Sequence, residues 1–414
     1  MSKLEELIQQ YCPDGVEYRP IWSLTAWDKK FNGIDKSKQK KVIKYNYLLA
    51  ADLKSYQVEN GTVKLLTTNI SNLYTTEELA EDLASDGEVV AIPWGGNPVV
   101  QYYKGRFLTA DNRIATSLDT TLLSNKFLYY CMLNQMKLIT SFYRGSGIKH
   151  PEMAKVLDLE IPVPPLPVQE EIVRILDTFT ELQAELQAEL QAELQKRLQQ
   201  YNYYRDNLLS FEGRTDVEWK KLGDVASIKT GRRFVRTDIR ESGVPCFHYG
   251  DIYTYYGLTA TTTKGYLDAE LASKLRFAQP NDVVVVCAGE NDMDIGVGVA
   301  WLGDEPAVVH DACCILHHNQ NPRYISHFLR THNYHLQMRR YVKNGKISSL
   351  PASGLAEAII PIPSLDEQEK IATILDRFDA LTTDITAGLP AEIEARRKQY
   401  EYYRDQLLTF KQKA

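Results

Sequence analysis

Seven lysines (Lys29, Lys30, Lys36, Lys38, Lys40, Lys41 and Lys44) fall within residues 28–44, against only Asp28 and Asp35. A second run holds Lys229, Arg232, Arg233, Arg236 and Arg240 against Asp238 alone. Residues 121–150 and 323–350 contain no acid; the first carries Arg144 and Lys149, the second Arg339, Arg340, Lys343 and Lys346. Such runs can neutralise phosphates, which gives orientation and salt-dependent affinity for a nucleic acid. Aromatics are interleaved with the charges in "KYNY", "YYKGRF" (with Lys104 and Arg106), "TGRRFVR" and "RRYVKNGK", and Tyr249, Tyr253, Tyr255 and Tyr256 lie near the third. Arginine can pair bidentately with guanine, so Arg113, Arg232 and Arg233 are the leading candidates to touch base edges. The net charge of -6 over the chain conceals these local basic faces.

Bond-making chemistry is harder to find. No GxxxxGK[ST] loop is present to cradle a nucleotide triphosphate. "GGNPVV" from Gly95 is the nearest fragment to a base-modifying methyltransferase motif, and it lacks the second proline and the aromatic. "HDACCILHH" from His310 offers zinc-ligand types, but their spacing is that of a buried strand. "ENDMD" from Glu290 reads as an acidic loop rather than a divalent-cation site. No catalytic residue and no metal ligand is assigned.

The elements that position the basic runs follow from a duplication. At 414 residues, 44% hydrophobic and 25% charged, the chain is too long for one core. "IPVPPLPVQEEIVRILDTF" from Ile161 returns as "IPIPSLDEQEKIATILDRF" from Ile360, a shift of 199 positions. "YNYYRDNLLSF" from Tyr201 returns as "YEYYRDQLLTF" from Tyr400, again shifted by 199. "GVEYRPIWSL" from Gly15 has a looser counterpart in "DVEWKKLGDV" from Asp216. The order is variable domain, long helix, variable domain, long helix.

The repeated block is helical by period. Ile172, Ile175, Phe179, Leu182, Leu186, Leu190, Leu194 and Tyr201 make one apolar stripe, matched by Ile371, Ile374, Phe378, Leu381, Ile385, Leu389, Ile393 and Tyr400. Ser364 opens a capping-box start, and the prolines at 162, 164, 165 and 167 keep the preceding chain extended. A helix from about Val168 to Leu209 runs roughly 60 Å. Neither stripe should stay exposed over that length, so the two helices are expected to pack antiparallel with one domain at each end. Gly388 and Pro390 interrupt the second copy and are expected to kink or break it. Within the variable domains, "EVVAIPW", "DVVVVCAG" and "AVVHDACCIL" read as strands, and "TTEELAEDLAS" and "NKFLYYCMLNQMKLI" as helices. The topology of these mixed α/β domains is left open. No run approaches the ~18 apolar residues of a membrane span. "MSKLEELIQQYC" reads as an amphipathic helix rather than a signal peptide, and six scattered cysteines suit a reducing cytoplasm.

In these motifs, together with the tetrapeptide stutter "ELQAELQAELQAELQKR" from Glu181, the chain resembles the specificity subunit of type I restriction–modification systems. It is most similar to the subgroup with short tandem repeats in the central helix. The resemblance implies an α/β fold with two target-recognition domains separated by two long antiparallel helices, a coiled-coil spacer with an internal pseudo-twofold repeat. It implies a non-catalytic reader of double-stranded DNA, each variable domain reading one half of a split target. It also implies two methyltransferase subunits that modify adenine with S-adenosylmethionine, and ATP-driven restriction subunits. S-adenosylmethionine, ATP and magnesium would then belong to the partners. The divisions expected are an amino-terminal helix (1–14), a first recognition domain (15–158), a central conserved region (159–211), a second recognition domain (212–357) and a carboxy-terminal conserved region (358–414).

The stutter then acquires a physical meaning. Four residues advance a helix by ~6 Å and turn it about 40° past a full turn. One base-pair step advances ~3.4 Å and turns roughly 35°. Each LQAE unit is therefore expected to change the unread gap by about one base pair. Repeat slippage that left a tolerated helix is the simpler rival for the stutter itself. For the chain, the rivals are a self-contained methyltransferase, active without partners, and a coiled-coil adaptor indifferent to DNA.

Overall fold

The computed structural model describes residues 2–289, 295–343, 345, 347–383 and 389–413, with the side chains of 383, 389 and 390 outside that description. Lys346, Ile385, Gly388 and the "ENDMD" segment therefore lie outside the described residues. Two compact units emerge: Met1–Leu186 with Ala395–Ala414, and Gln187–Glu394.

The first unit is built on a six-stranded mixed sheet. Its order is Thr25–Trp27, Asn112–Ser117, Ser85–Pro93, Gln101–Thr109, Val63–Leu66, Tyr74–Thr75. All neighbours are antiparallel except Gln101–Thr109 with Val63–Leu66. The second unit repeats that scheme over five strands: Ala226–Thr230, Cys313–His318, Val283–Val286, Gly298–Trp301, Thr259–Ala260. Again three antiparallel steps are followed by one parallel step. A four-stranded sheet, Gly265–Leu267, Val244–Phe247, Ala307–Val309, Phe277–Ala278, completes this unit. The loosely matched segments also correspond. Tyr18–Pro20 pairs antiparallel with Glu160–Pro162, and Glu218–Lys221 with Ile359–Ile362, so each domain's entry strand is tied to the strand that leads out of it.

The helix of the first repeat is continuous from Leu166 to Leu208. Gln169 is fully buried near its start: its carbonyl accepts from the Ser124 backbone N–H at 2.9 Å, and its amide donates to Leu122 O and Pro164 O at 2.8 and 2.7 Å. Gln368, 199 positions on, does the same with Asn321 N (3.0 Å), Gln320 Oε1 (2.8 Å) and Pro363 O (2.9 Å). A glutamine inside the repeated motif thus satisfies both ends of its amide and fixes each helix onto its domain. Downstream, Asp177 takes Tyr130 Oη at 2.6 Å and Lys126 Nζ at 2.7 Å, while Asp376 takes His327 Nε2 at 2.9 Å and an ion pair from Arg323.

Three expectations need correction. Leu182 and Leu381 are each 55% exposed, so the stripes are only partly covered; a period of four carries the leucines around the helix and away from a fixed seam. "TTEELAEDLAS" gives a single capped turn, Glu77–Ala80, because Glu81 takes a positive φ of 40° and a 3₁₀ turn follows. "AVVHDACCIL" makes two strands, Ala307–Val309 and Cys313–His318, in different sheets. The second long helical segment is described as Leu365–Thr383 and Leu389–Leu408. The kink or break expected at Gly388 and Pro390 centres on residues 384–388, which lie outside the described residues. The first of these segments starts as expected, with the Ser364 side chain accepting from Glu367 N at 3.3 Å.

Candidate nucleic-acid interface

In the first unit the chain leaves the edge strand Thr25–Trp27 directly into the lysine run. Lys29 and Lys30, with Phe31, Trp94, Glu152 and Met153, line an open cleft of about 480 Å³. Trp94 follows the central strand Ser85–Pro93 and organises the charges around it. The Arg113 guanidinium lies 4.3 Å from its ring centroid, the Lys29 ammonium 5.5 Å, and the His150 ring 5.2 Å. The first two are cation–π distances, which hold the arginine and lysine in place while leaving them charged. Burial, reinforced by the Arg113 charge, lowers the Lys29 pKa below its ordinary value.

Arg113 is placed differently from a free base reader. It is buried, 3.5 Å from Asp28 Oδ2, and donates to its neighbour's carbonyl, Asn112 O, at 2.6 Å. Burial raises the Asp28 pKa, against the Ile114 N–H bond and the Arg113 charge. Arg113 thus braces Trp94 from within. Lys36, Lys40, Lys41 and Lys44 are exposed, whereas Lys38 reaches Asp158 at 2.5 Å. Arg106 is paired with Glu77, and Lys104 lies 3.5 Å from Glu88. Arg144 and Lys149 are exposed on a hairpin, Arg144 being 2.9 Å from Glu152.

The second unit has a cleft at the matching place, about 370 Å³, lined by Arg233, Phe234, Arg236, His248, His310 and Ile347. Its basic wall again follows the edge strand, here Ala226–Thr230, and its opposite wall again follows the central strand, here at Ala288 and Gly289. Rings crowd its floor: His248 and His310 are 4.8 Å apart, and Phe234 is 5.1 Å from His310. Burial lowers both imidazole pKa values, so the positive charge of this cleft at neutral pH comes from arginine. Arg233 is exposed at its rim; Arg236 lies 3.4 Å from Asp251, and Arg232 donates to Lys274 O at 2.7 Å. Arg339 belongs to another cleft, with Arg205, Arg330, His332 and His335. Arg340 covers Tyr341 at 4.9 Å, and Lys343 bridges to Ser349 through the backbone.

Sequence reasoning missed Trp94 and His150 as site residues, and had Phe234 only as the aromatic within "TGRRFVR". The available signal was position: Trp94 ends "EVVAIPW" and precedes Gly95 and Gly96, a strand running into a turn at the domain edge. His310 was weighed only as a zinc ligand type; it is a ring of the cleft floor instead, while Cys313 and Cys314 are buried in their strand. Among the described residues no cluster of three metal-ligating side chains occurs.

The duplicated clefts agree with the sequence relationships. Residues 29–196 and 215–395 each match the family model for the type I restriction modification DNA specificity domain. The chain belongs to that family. It is 33% identical to the Escherichia coli type I restriction enzyme EcoR124I/EcoR124II specificity subunit, covering 99% of this chain and 97% of the relative. It is also 33% identical to a putative type I restriction enzyme specificity subunit of Haemophilus influenzae, over 81% of this chain and 86% of that one. A solved structure described as showing complex assembly and conformational transition of the type I restriction–modification system shares the fold, with a TM-score of 0.63 at 14% identity over 96% of this chain and 98% of that one. Two family matches on one chain mean two recognition domains in a specificity subunit. No helix among the described residues is long and apolar enough to cross a membrane.

Proposed function

We propose that this chain is the non-catalytic DNA reader of a type I restriction–modification complex. Its two domains recognise the two halves of one split target. The observation that carries this reading is the repeated cleft, basic and aromatic, reached by the same strand order in both units. Lys29, Lys30, Lys36, Lys40, Lys41, Lys44 and Lys149 supply phosphate contacts on the first domain; Arg232, Arg236, Arg339, Arg340 and Lys343 supply them on the second. Arg233, exposed at the rim of its cleft, is best placed to reach a base edge.

Two methyltransferase subunits bind the chain in this reading. Its support is a pair of matching sets of exposed apolar side chains on the repeated helical segments. Leu182 with Tyr402 in the first unit, and Leu381 with Tyr203 in the second, are 55%, 60%, 55% and 64% exposed. Two copies of one surface fit two copies of one partner. S-adenosylmethionine, ATP and magnesium belong to the partner subunits, which perform adenine methylation and restriction, and the complex works in the cytoplasm. Each LQAE unit of the helix Leu166–Leu208 adds about one base pair to the unread gap.

Exchanging residues 212–357 for those of a relative with a known target tests the division of labour. Methylated-site mapping should then return a motif altered in one half only. A motif altered in both halves, or in neither, contradicts it.

A further inference from the structure

Ile148 is 70% exposed and Ile347 is 60% exposed, and they lie 199 positions apart, the shift of the duplication. Each occupies the same kind of place. Ile148 sits in the hairpin closed by Arg144 and His150; Ile347 sits between Lys343 and Ser349, which bridge in the same antiparallel sense. Each isoleucine is held beside its cleft. In the first unit Gly96 N–H donates to Lys149 O at 3.0 Å, and His150 Nδ1 meets Trp94 O at 2.7 Å. In the second, Ala288 and Gly289 pair with Ser349 and Ser348. Gly145, at φ +142°, makes the tight turn that no side chain would fit: an added Cβ would stand 2.6 Å from Ile148 O. A large aliphatic group held in water at two positions related by the duplication gains nothing in the isolated chain. Basic side chains stand near both isoleucines, although Arg144 also pairs with Glu152 at 2.9 Å and Arg236 lies 3.4 Å from Asp251. Residues 121–150 and 323–350 lack acids, Arg144 and Lys149 flank Ile148, and Arg233 and Arg236 share a cleft with Ile347.

We propose that Ile148 and Ile347 are paired apolar wedges, each entering a base step of duplex DNA in one half-site. The inference rests on the DNA-reading function above. The adjacent cations draw the phosphates in, and the isoleucine replaces stacking at one step, bending the duplex so that more of it meets the domain. "GGNPVV" then has a role that is not catalytic. Gly95 leaves room for the wedge, since a Cβ there would come within 2.9 Å of Ile148 Cγ2 and 3.2 Å of His150 Cε1.

The test uses the full chain assembled with its methyltransferase subunits, sheared host genomic DNA as the selected probe, and end-to-end energy transfer on the selected duplexes to read bending. Wild type should enrich a bipartite motif and bend it by tens of degrees. Ile148→Ala and Ile347→Ala should each remove part of the bend and weaken binding roughly tenfold. Gly95→Ala should mimic Ile148→Ala by displacing the wedge. Lys149→Gln should weaken binding and flatten its salt dependence while leaving the bend. An enriched motif that is straight, or that both isoleucine variants bend as much as wild type does, overturns the wedge and leaves the reading function standing. The same holds if the isoleucine variants fail only in assembling with the methyltransferase subunits. No enriched motif with wild type overturns both.

Discussion

Phe179 stacks on Tyr403 with centroids 6.1 Å apart and planes inclined by 29°, joining the first half of the central helix to the end of the chain. The residues 199 positions away, Phe378 and Tyr204, stack at 5.4 Å and 24° within the second unit. Each compact unit is therefore sealed by a helix segment from the other half of the sequence, and the terminal residues continue the work. Val16 bridges to Gln412, and Leu408 is buried in the first unit's core.

Tyr403→Ala should lower the stability of the first unit by about 1 kcal/mol beyond the lost apolar area, and Tyr204→Ala should do so in the second. Thermal unfolding of the single and double variants checks this. Losses that fail to add would place the two stacks in one cooperative block.

Gln169→Leu and Gln368→Leu keep the side-chain bulk but leave the backbone N–H of Ser124 or Asn321 without its acceptor. Each should cost roughly 1–3 kcal/mol in a denaturant titration. Loss-free variants would show that these amides do not fix the helices.

Burial, aided by Arg205, Arg330, His332 and Arg339, pushes the His335 imidazole down to about 4. The unfolded chain takes up that proton near pH ~6.5. The folded chain takes it up only near 4, so the unfolded state binds more protons between these values. Stability is complete above the upper value, falls as the pH drops toward the lower one, and is flat below it. The total is about 3 kcal/mol at most. His335→Gln should make the urea midpoint less steep in pH across this window; an unchanged slope would remove His335 as a cause.

Arg233→Ala should relax base preference at one position of the second half-site by ~1–3 kcal/mol. Lys30→Gln should weaken all duplexes alike and reduce the salt slope by about one. Binding titrations on matched and mismatched duplexes separate the two. Uniform weakening from Arg233→Ala would move it to the phosphate class.

The long helices were legible because both their period and their copy number are written in one-dimensional spacing. Gln169 and Gln368 stood inside the repeated motif, yet nothing in spacing told that they are buried amides rather than solvated ones. The sheet order was not legible, since pairing Gln101–Thr109 with Val63–Leu66 joins strands separated by two strands and two helical turns. Charge runs gave the basic face but not the commitment of its members. Arg113 and Lys149 look alike as letters; one is buried behind a half-buried tryptophan and the other is open to solvent, because only the fold brings Asp28 and Trp94 to Arg113.

The claim on which most depends is that the helix Leu166–Leu208 measures a gap between two half-sites read by one chain. Deleting Leu190 to Glu193, one LQAE unit, and mapping methylated sites in cells tests it directly. The account predicts the same two half-sites with the unread gap shortened by about one base pair. The same motif with an unchanged gap would contradict it.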